Sequence, residues 1–132
     1  MKKRGILNSA VSEMVAAMGH TDLLVITDAG HPIPQDKWVV DLAFSKNVPP
    51  FLTVLEGVLE ELQVEKVILA EEMKEKSPEL LKKLKALFSK DVEVEMVPHE
   101  EFKGIVRTAK AIIRTGEFTP YANIILQAGV VY

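Results

Sequence analysis

The sequence has no cysteine among its 132 residues, which excludes disulfide bonds, thiolate catalysis and cysteine zinc sites. It also lacks an excess of basic charge, because 16 Lys and Arg against 19 Asp and Glu leave a net charge of −3. A protein with this balance has no overall field that attracts nucleic acid or an anionic membrane. We therefore expect neither as a partner, and a small molecule becomes the favoured ligand class.

Long hydrophobic runs are absent as well. Residues 2–4 are basic, but the apolar residues after them are soon interrupted by Asn8, Ser9 and Glu13, so no signal-peptide core is present. No uninterrupted apolar run is long enough to cross a bilayer. These features predict a soluble, cytoplasmic protein.

What the sequence does contain is an ordinary core, with 48% hydrophobic residues in a chain the size of one domain, residues 1–132. Short apolar runs predict strands, and apolar residues at helical spacing predict amphipathic helices between them. The predicted strands are residues 23–27, 38–42, 66–70, 92–97, 111–114 and 123–126; the predicted helices begin near residues 9, 51, 78 and 100. This alternation predicts an α/β fold of three layers, a mostly parallel central sheet with helices on both faces.

Local signals refine these elements. Asn8 or Ser9 is placed to cap the first helix and Gly19 to end it, whereas Gly104 is expected to weaken the last helix. The final two strands are too close in sequence for a helical crossover. We expect either an antiparallel pair or an irregular loop there.

Polar side chains that follow strands are the first candidates for a site, because ligands of open α/β sheets bind beyond the carboxyl ends of the strands. Asp28 directly follows the first strand, and His31 lies in the loop after it. His99 follows another strand. The alternative for Asp28 is a turn-capping carboxylate, and either histidine could be a surface residue.

His20 follows Gly19 at the end of the first helix, where the partial negative charge of the helix terminus favours an imidazolium. It is therefore a candidate general acid, with a polar helix cap as the alternative. The spacing of the three histidines contains no metal-ligand pair, and we expect no metal. Glycine-rich nucleotide loops and a serine nucleophile elbow are also missing, so no cofactor is expected.

The densest polar stretch is residues 114–123, which holds a guanidinium, a carboxylate, hydroxyls, a phenol and an amide between two apolar strands. Directional donors and acceptors beside aromatic faces are suited to a polyhydroxylated ligand such as a sugar. The alternative is a structural turn with an Arg114–Glu117 ion pair.

At this stretch the sequence closely resembles the ribose and fucose mutarotase family. The resemblance extends over essentially the whole chain and is carried by residues 1–9, 18–22, 28–34, 99–103 and, above all, 114–123. Pro32-Ile33-Pro34 and Phe118-Thr119-Pro120 are similar to the ribose branch rather than the fucose branch.

The resemblance implies an isomerase without a cofactor that interconverts the pyranose and furanose forms of D-ribose. It implies that His20 is the proton donor. It also implies ring-shaped homo-oligomers with active sites near subunit contacts. The short chain fits that expectation, because it leaves little room for a separate substrate domain and a neighbouring subunit could form part of the site. The sugar-binding positions implied by the motifs are Asp28, His99, Tyr121, Ala122 through its backbone, and Asn123.

Three other functions stay open at this point. The first is an L-fucose mutarotase, and the second is a ribose-binding module without catalysis. The third is a metal-dependent hydrolase built on Asp28 and the histidines.

Overall fold

The computed structural model describes residues 1–132 and contains one six-stranded mixed sheet. The strands run in the spatial order β2-β5-β1-β6-β3-β4, and three of their five pairings are parallel. Only β6 is antiparallel to its neighbours, so the predicted mostly parallel sheet is confirmed. The strands are β1 Leu23–Thr27, β2 Trp38–Asp41, β3 Val64–Ala70, β4 Glu93–Val97, β5 Ala111–Arg114 and β6 Ile124–Ala128.

Helices cover both faces of this sheet, which gives the three layers predicted. Their bounds are α1 Ser9–Ala16, α2 Phe51–Glu61, α3 Met73–Lys76, α4 Pro78–Ala86 and α5 His99–Val106. The first four pack on one face through a core of 19 buried residues, and α5 packs alone on the other through a core of 8.

Strand alternation divides the sheet between these two cores. Leu24 and Ile26 of β1 point into the larger core, whereas Val25 between them points into the smaller one. Successive side chains of a strand point to opposite faces, so a strand covered on both sides must be apolar throughout. Phe102 of α5 is completely buried and fills the centre of the smaller core.

The local predictions agree with the elements in most places. Asn8 caps α1, because its side-chain oxygen accepts a hydrogen bond from the Val11 amide at 3.0 Å. Gly104 does not interrupt α5, which is continuous through it. The short helix α3 was not predicted; it is a single turn anchored by the buried Met73, and one turn is too short for a visible periodicity.

The reversed direction of β6 determines where functional side chains meet. β5 and β6 are joined by an irregular loop, but they do not pair, because β1 lies between them. The amino end of β6 therefore lies at the same edge as the carboxyl ends of the parallel strands β5, β1 and β3. None of the helices combines the length and apolar character needed to cross a membrane.

Candidate functional site

Four of the predicted site residues meet at the carboxyl edge of the sheet. Asp28 follows β1, His99 begins α5 just after β4, and Tyr121 and Asn123 lie immediately before β6. They surround a cavity of about 330 Å³, within the size range of small-molecule sites. Its lining residues are Asp28, Gly30, His31, Pro32, His99, Pro120, Tyr121 and Asn123.

Asp28 and Asn123 are locked together by two hydrogen bonds. The Asp28 amide donates to Asn123 Oδ1 at 2.9 Å, and Asn123 Nδ2 donates to Asp28 Oδ2 at 3.2 Å. The amide of Gly30 donates to Asp28 Oδ1 at 3.0 Å. Burial raises the pKa of the Asp28 carboxyl, although these hydrogen bonds oppose the shift. Asp28 is thus held in a fixed orientation at the cavity wall, with an increased tendency to hold a proton.

Aromatic rings form the opposite wall. The ring centroids of His99 and Tyr121 lie 5.0 Å apart at 83°, and the His99 ring stacks on Phe102 at 6.1 Å and 16°. Tyr121 has a φ of 59°, in the left-handed region that few non-glycine residues adopt. Such backbone strain is found where a structure fixes a functional side chain.

His31 also belongs to this wall. Its ring lies edge-on to His99 at 5.6 Å, it is only 6% exposed, and neither of its ring nitrogens has a hydrogen-bond partner. Burial, reinforced by the nearby charges of His99 and Lys103, lowers the pKa of His31 to about 4. At neutral pH His31 is therefore an uncharged part of the cavity.

Ala122 and Glu72 support the site from behind. Ala122 is completely buried, and its methyl group packs in the larger core. Glu72 accepts from the His99 amide with both carboxylate oxygens, at 3.0 and 3.1 Å, and so fixes the start of α5. Nothing in the sequence marks Glu72 as a supporting residue, because its partner lies 27 residues away and no local motif connects the two.

The Arg114–Glu117 ion pair, which was the alternative interpretation of the loop after β5, is not present, and other contacts hold this loop. Arg114 instead donates to the Ala29 carbonyl through Nε at 3.1 Å and Nη2 at 2.9 Å, and it forms an ion pair with Asp41 at 3.0 Å. Glu117 accepts from the Phe51 amide at 2.9 Å, which satisfies a free donor at the start of α2. Both residues hold the loops that carry the site residues.

His20 is not brought to this cavity within one chain. It precedes β1 whereas Asp28 follows it, and five strand residues at 3.3 Å each separate the two by roughly 16 Å. His20 lies at the opposite edge of the sheet, in a groove of about 580 Å³ that is also lined by the C-terminal residues 129–132. Its Nε2 lies 3.0 Å from Glu65 Oε2.

Three histidines and Asp28 do not gather into any group of three or more side chains that could hold a metal ion. His20 is distant, and the remaining polar atoms of the cavity are amides, a carboxylate, a phenol and imidazoles. These groups donate and accept hydrogen bonds in fixed directions around a space that fits a small polar molecule.

Comparison with known proteins matches the chain to one family. Residues 1–131 match the model of the RbsD / FucU transport protein family. The chain is 55% identical to a D-ribose pyranase of Thermotoga petrophila over 100% of both chains, and 53% identical to a D-ribose pyranase of Geobacillus thermodenitrificans over 98% of both. It superposes on the structure of Bacillus subtilis RbsD complexed with D-ribose with a TM-score of 0.94, at 51% identity and complete coverage of both chains. The chain therefore belongs to the RbsD / FucU transport protein family.

Proposed function

We propose that this protein interconverts the pyranose and furanose forms of D-ribose as a single catalytic domain, residues 1–132. The observation that carries the proposal is the convergence of Asp28, His99, Tyr121 and Asn123 on one polar cavity. Sequence comparison supports it as well, because about half of the residues are identical to those of proteins named D-ribose pyranase over essentially the full length. The Bacillus subtilis relative with this fold is complexed with D-ribose.

The reaction requires proton transfers together with the breaking of one carbon–oxygen bond and the forming of another, with no change of oxidation state. In ring opening, the anomeric hydroxyl gives up its proton, the bond from the anomeric carbon to the ring oxygen breaks, and the ring oxygen takes a proton. The open aldehyde then closes when another hydroxyl attacks the carbonyl carbon. The attacking hydroxyl gives up its proton, and the carbonyl oxygen takes one up. Protein acids and bases contribute about 10²–10⁴-fold to such steps.

The residues divide these tasks by their chemistry. We assign proton donation to the ring oxygen to His20. Asp28, fixed by Asn123, accepts hydrogen bonds from sugar hydroxyls, and His99, Tyr121 and Asn123 orient the ring. Ala122, which lies between Tyr121 and Asn123 in the chain, contributes through its backbone.

The position of His20 supports a site that is shared between two copies of the chain. His20 and Asp28 lie roughly 16 Å apart at opposite ends of β1, so one protomer cannot bring both to the same sugar. We propose that the chain forms a ring-shaped homo-oligomer in which the groove around His20 of one protomer faces the Asp28 cavity of the next. We further propose that it acts in the cytoplasm.

Exchange NMR on D-ribose tests the activity. We expect the protein to accelerate exchange between pyranose and furanose signals over buffer, and to act less on L-fucose anomers measured in parallel. Binding of ribose without acceleration would identify a binding module instead. Faster exchange of fucose would identify a fucose mutarotase, and loss of activity in chelator would indicate a metal enzyme.

A complementation experiment tests the shared site. His20→Ala and Asn123→Leu variants are each expected to be inactive alone, because each damages one half of every site. Mixed after dissociation and reassembly, they are expected to regain activity, since some sites combine an intact His20 with an intact Asn123. A mixture as inactive as its components would refute the shared site.

A further inference from the structure

An acidic residue, Glu65, contacts the proposed proton donor, His20. Glu65 Oε2 lies 3.0 Å from His20 Nε2, while Glu65 Oε1 accepts a hydrogen bond from Gln127 Nε2 at 2.7 Å. Both carboxylate oxygens are therefore engaged. Gln127 comes from β6, Glu65 from β3 and His20 from the loop between α1 and β1.

An irregularity in the sheet puts Glu65 in this position. The register of β3 and β6 pairs Val64 with Ala128 and Lys66 with Gln127, so Glu65 is an extra residue in a β-bulge. A bulge turns a side chain away from the regular alternation of a strand. Gly129 leaves the space beside it, because a Cβ on Gly129 would lie 3.2 Å from the Cβ of Glu65.

The backbone that follows His20 is hydrogen-bonded to the end of β6. The Thr21 amide donates to the Ala128 carbonyl at 2.8 Å, and the Ala128 amide donates to the Asp22 carbonyl at 2.9 Å. Thr21 takes a left-handed φ of 70° to make this connection. The backbone beside His20 and the strand that carries Gln127 are thus joined at the end of β6, next to Glu65.

The chemistry of the contact determines which imidazole nitrogen carries the proton. A carboxylate only accepts hydrogen bonds, so the nitrogen facing Glu65 must be protonated. The Gln127 and His20 hydrogen bonds lower the pKa of Glu65, which keeps it ionised at neutral pH. In a neutral ring Nε2 then holds the hydrogen, and Nδ1, which has no partner within the chain, is left to exchange a proton.

We propose that Glu65 is a positioning residue that orients His20, so that Nδ1 is the atom that exchanges the proton with the sugar. This inference rests on the proposed function, in which His20 is the proton donor. Gln127 restrains the carboxylate from its other side. A carboxylate that fixes the tautomer and orientation of a catalytic imidazole is a known device of acid–base sites.

The test compares Glu65→Ala with two reference variants. His20→Ala tests the proposed function, and Glu93→Ala is a matched control, since it removes a strand carboxylate that pairs with Lys66 and not with His20. Ribose exchange is measured by NMR at low and saturating ribose. The tautomer of His20 is read from its ring ¹⁵N shifts.

The expected pattern is specific. Glu65→Ala reduces exchange at saturating ribose by about ten- to a hundredfold, with little change in KM; this is less than the about 10²–10⁴-fold of a complete acid–base contribution, because His20 itself remains. Its neutral His20 becomes a mixture of tautomers, whereas the wild type and Glu93→Ala show the Nε2–H form and full activity.

Four results would overturn the proposal. Full activity of Glu65→Ala beside an inactive His20→Ala would remove the role of Glu65 and leave the proposed function standing. An unchanged His20 tautomer, or an equal loss in Glu93→Ala, would show that Glu65 does not act through the imidazole. Full activity of His20→Ala would instead refute the role of His20 on which the proposal rests.

Discussion

The free energy of unfolding depends on pH through the lowered pKa of His31. The ring has an ordinary pKa of 6.5 in the unfolded chain, whereas burial lowers it to about 4 in the folded one. Between these values the unfolded chain binds more protons than the folded chain, so stability falls with falling pH. The contribution is complete above pH 6.5 and is lost as the pH drops towards 4.

Proton linkage converts the shift into a free energy. A change from 6.5 to about 4 corresponds to a loss of about 2 kcal/mol by pH 5 and about 3 kcal/mol by pH 4. In a chain of this size, 2 kcal/mol lowers the melting temperature by roughly 6–8 °C. Asp28 works in the opposite direction, because its raised pKa favours the folded state as the pH falls through that pKa.

A His31→Phe variant isolates the effect of His31. Phenylalanine keeps a ring of similar size against Phe102 and His99 but cannot be protonated. Urea unfolding of both proteins at pH 7 and pH 5 gives the free energy of unfolding at each pH. We expect the wild type to lose about 2 kcal/mol more than the variant between these values. Equal losses would refute the buried, neutral state of His31.

Three further substitutions test how the site and the cores are held. Asn123→Ala removes both hydrogen bonds to Asp28 and leaves the partly buried backbone amide of Asp28 without its partner; we expect a loss of about 1–3 kcal/mol in urea unfolding and weaker ribose binding in a titration. Gly116→Ala would drive a methyl group into the backbone of residues 45–48, and we expect a lower melting temperature, whereas an unchanged one would contradict that contact. Phe102→Ala empties the centre of the smaller core, which we expect to cost about 3–5 kcal/mol in chemical unfolding and to loosen the two histidine rings packed on it.

Much of the fold could be predicted because it depends on short-range patterns. Strands β1 and β5 begin and end where their apolar runs do, and the proline at position 78 opens α4 as expected. The placement of Asp28 and His99 follows from the rule that ligands bind beyond the carboxyl ends of strands, whereas Tyr121 and Asn123 are implied as site residues by the family resemblance. The remaining part of the site depends on contacts between residues far apart in the chain.

Glu65 and Glu72 are site residues that depend on contacts between distant parts of the chain. Glu72 caps a helix that begins 27 residues later, and Glu65 meets a histidine 45 residues earlier. In sequence both look like ordinary surface carboxylates on charged segments. Their partners are defined only by strand pairing and, for Glu65, by a bulge that periodicity does not reveal.

The alternation of strands and helices, the strands that are apolar on both faces and the loops that carry the polar groups follow from residues close together in the chain. The direction of β6 depends on long-range pairing, and because β6 is antiparallel to its neighbours, Tyr121 and Asn123 lie at the edge that holds Asp28. The tertiary structure also places His20 at the other end of β1. The physical reason is that strand order and direction depend on which edges pair across the whole chain, and that choice separates or unites residues independently of their spacing in sequence.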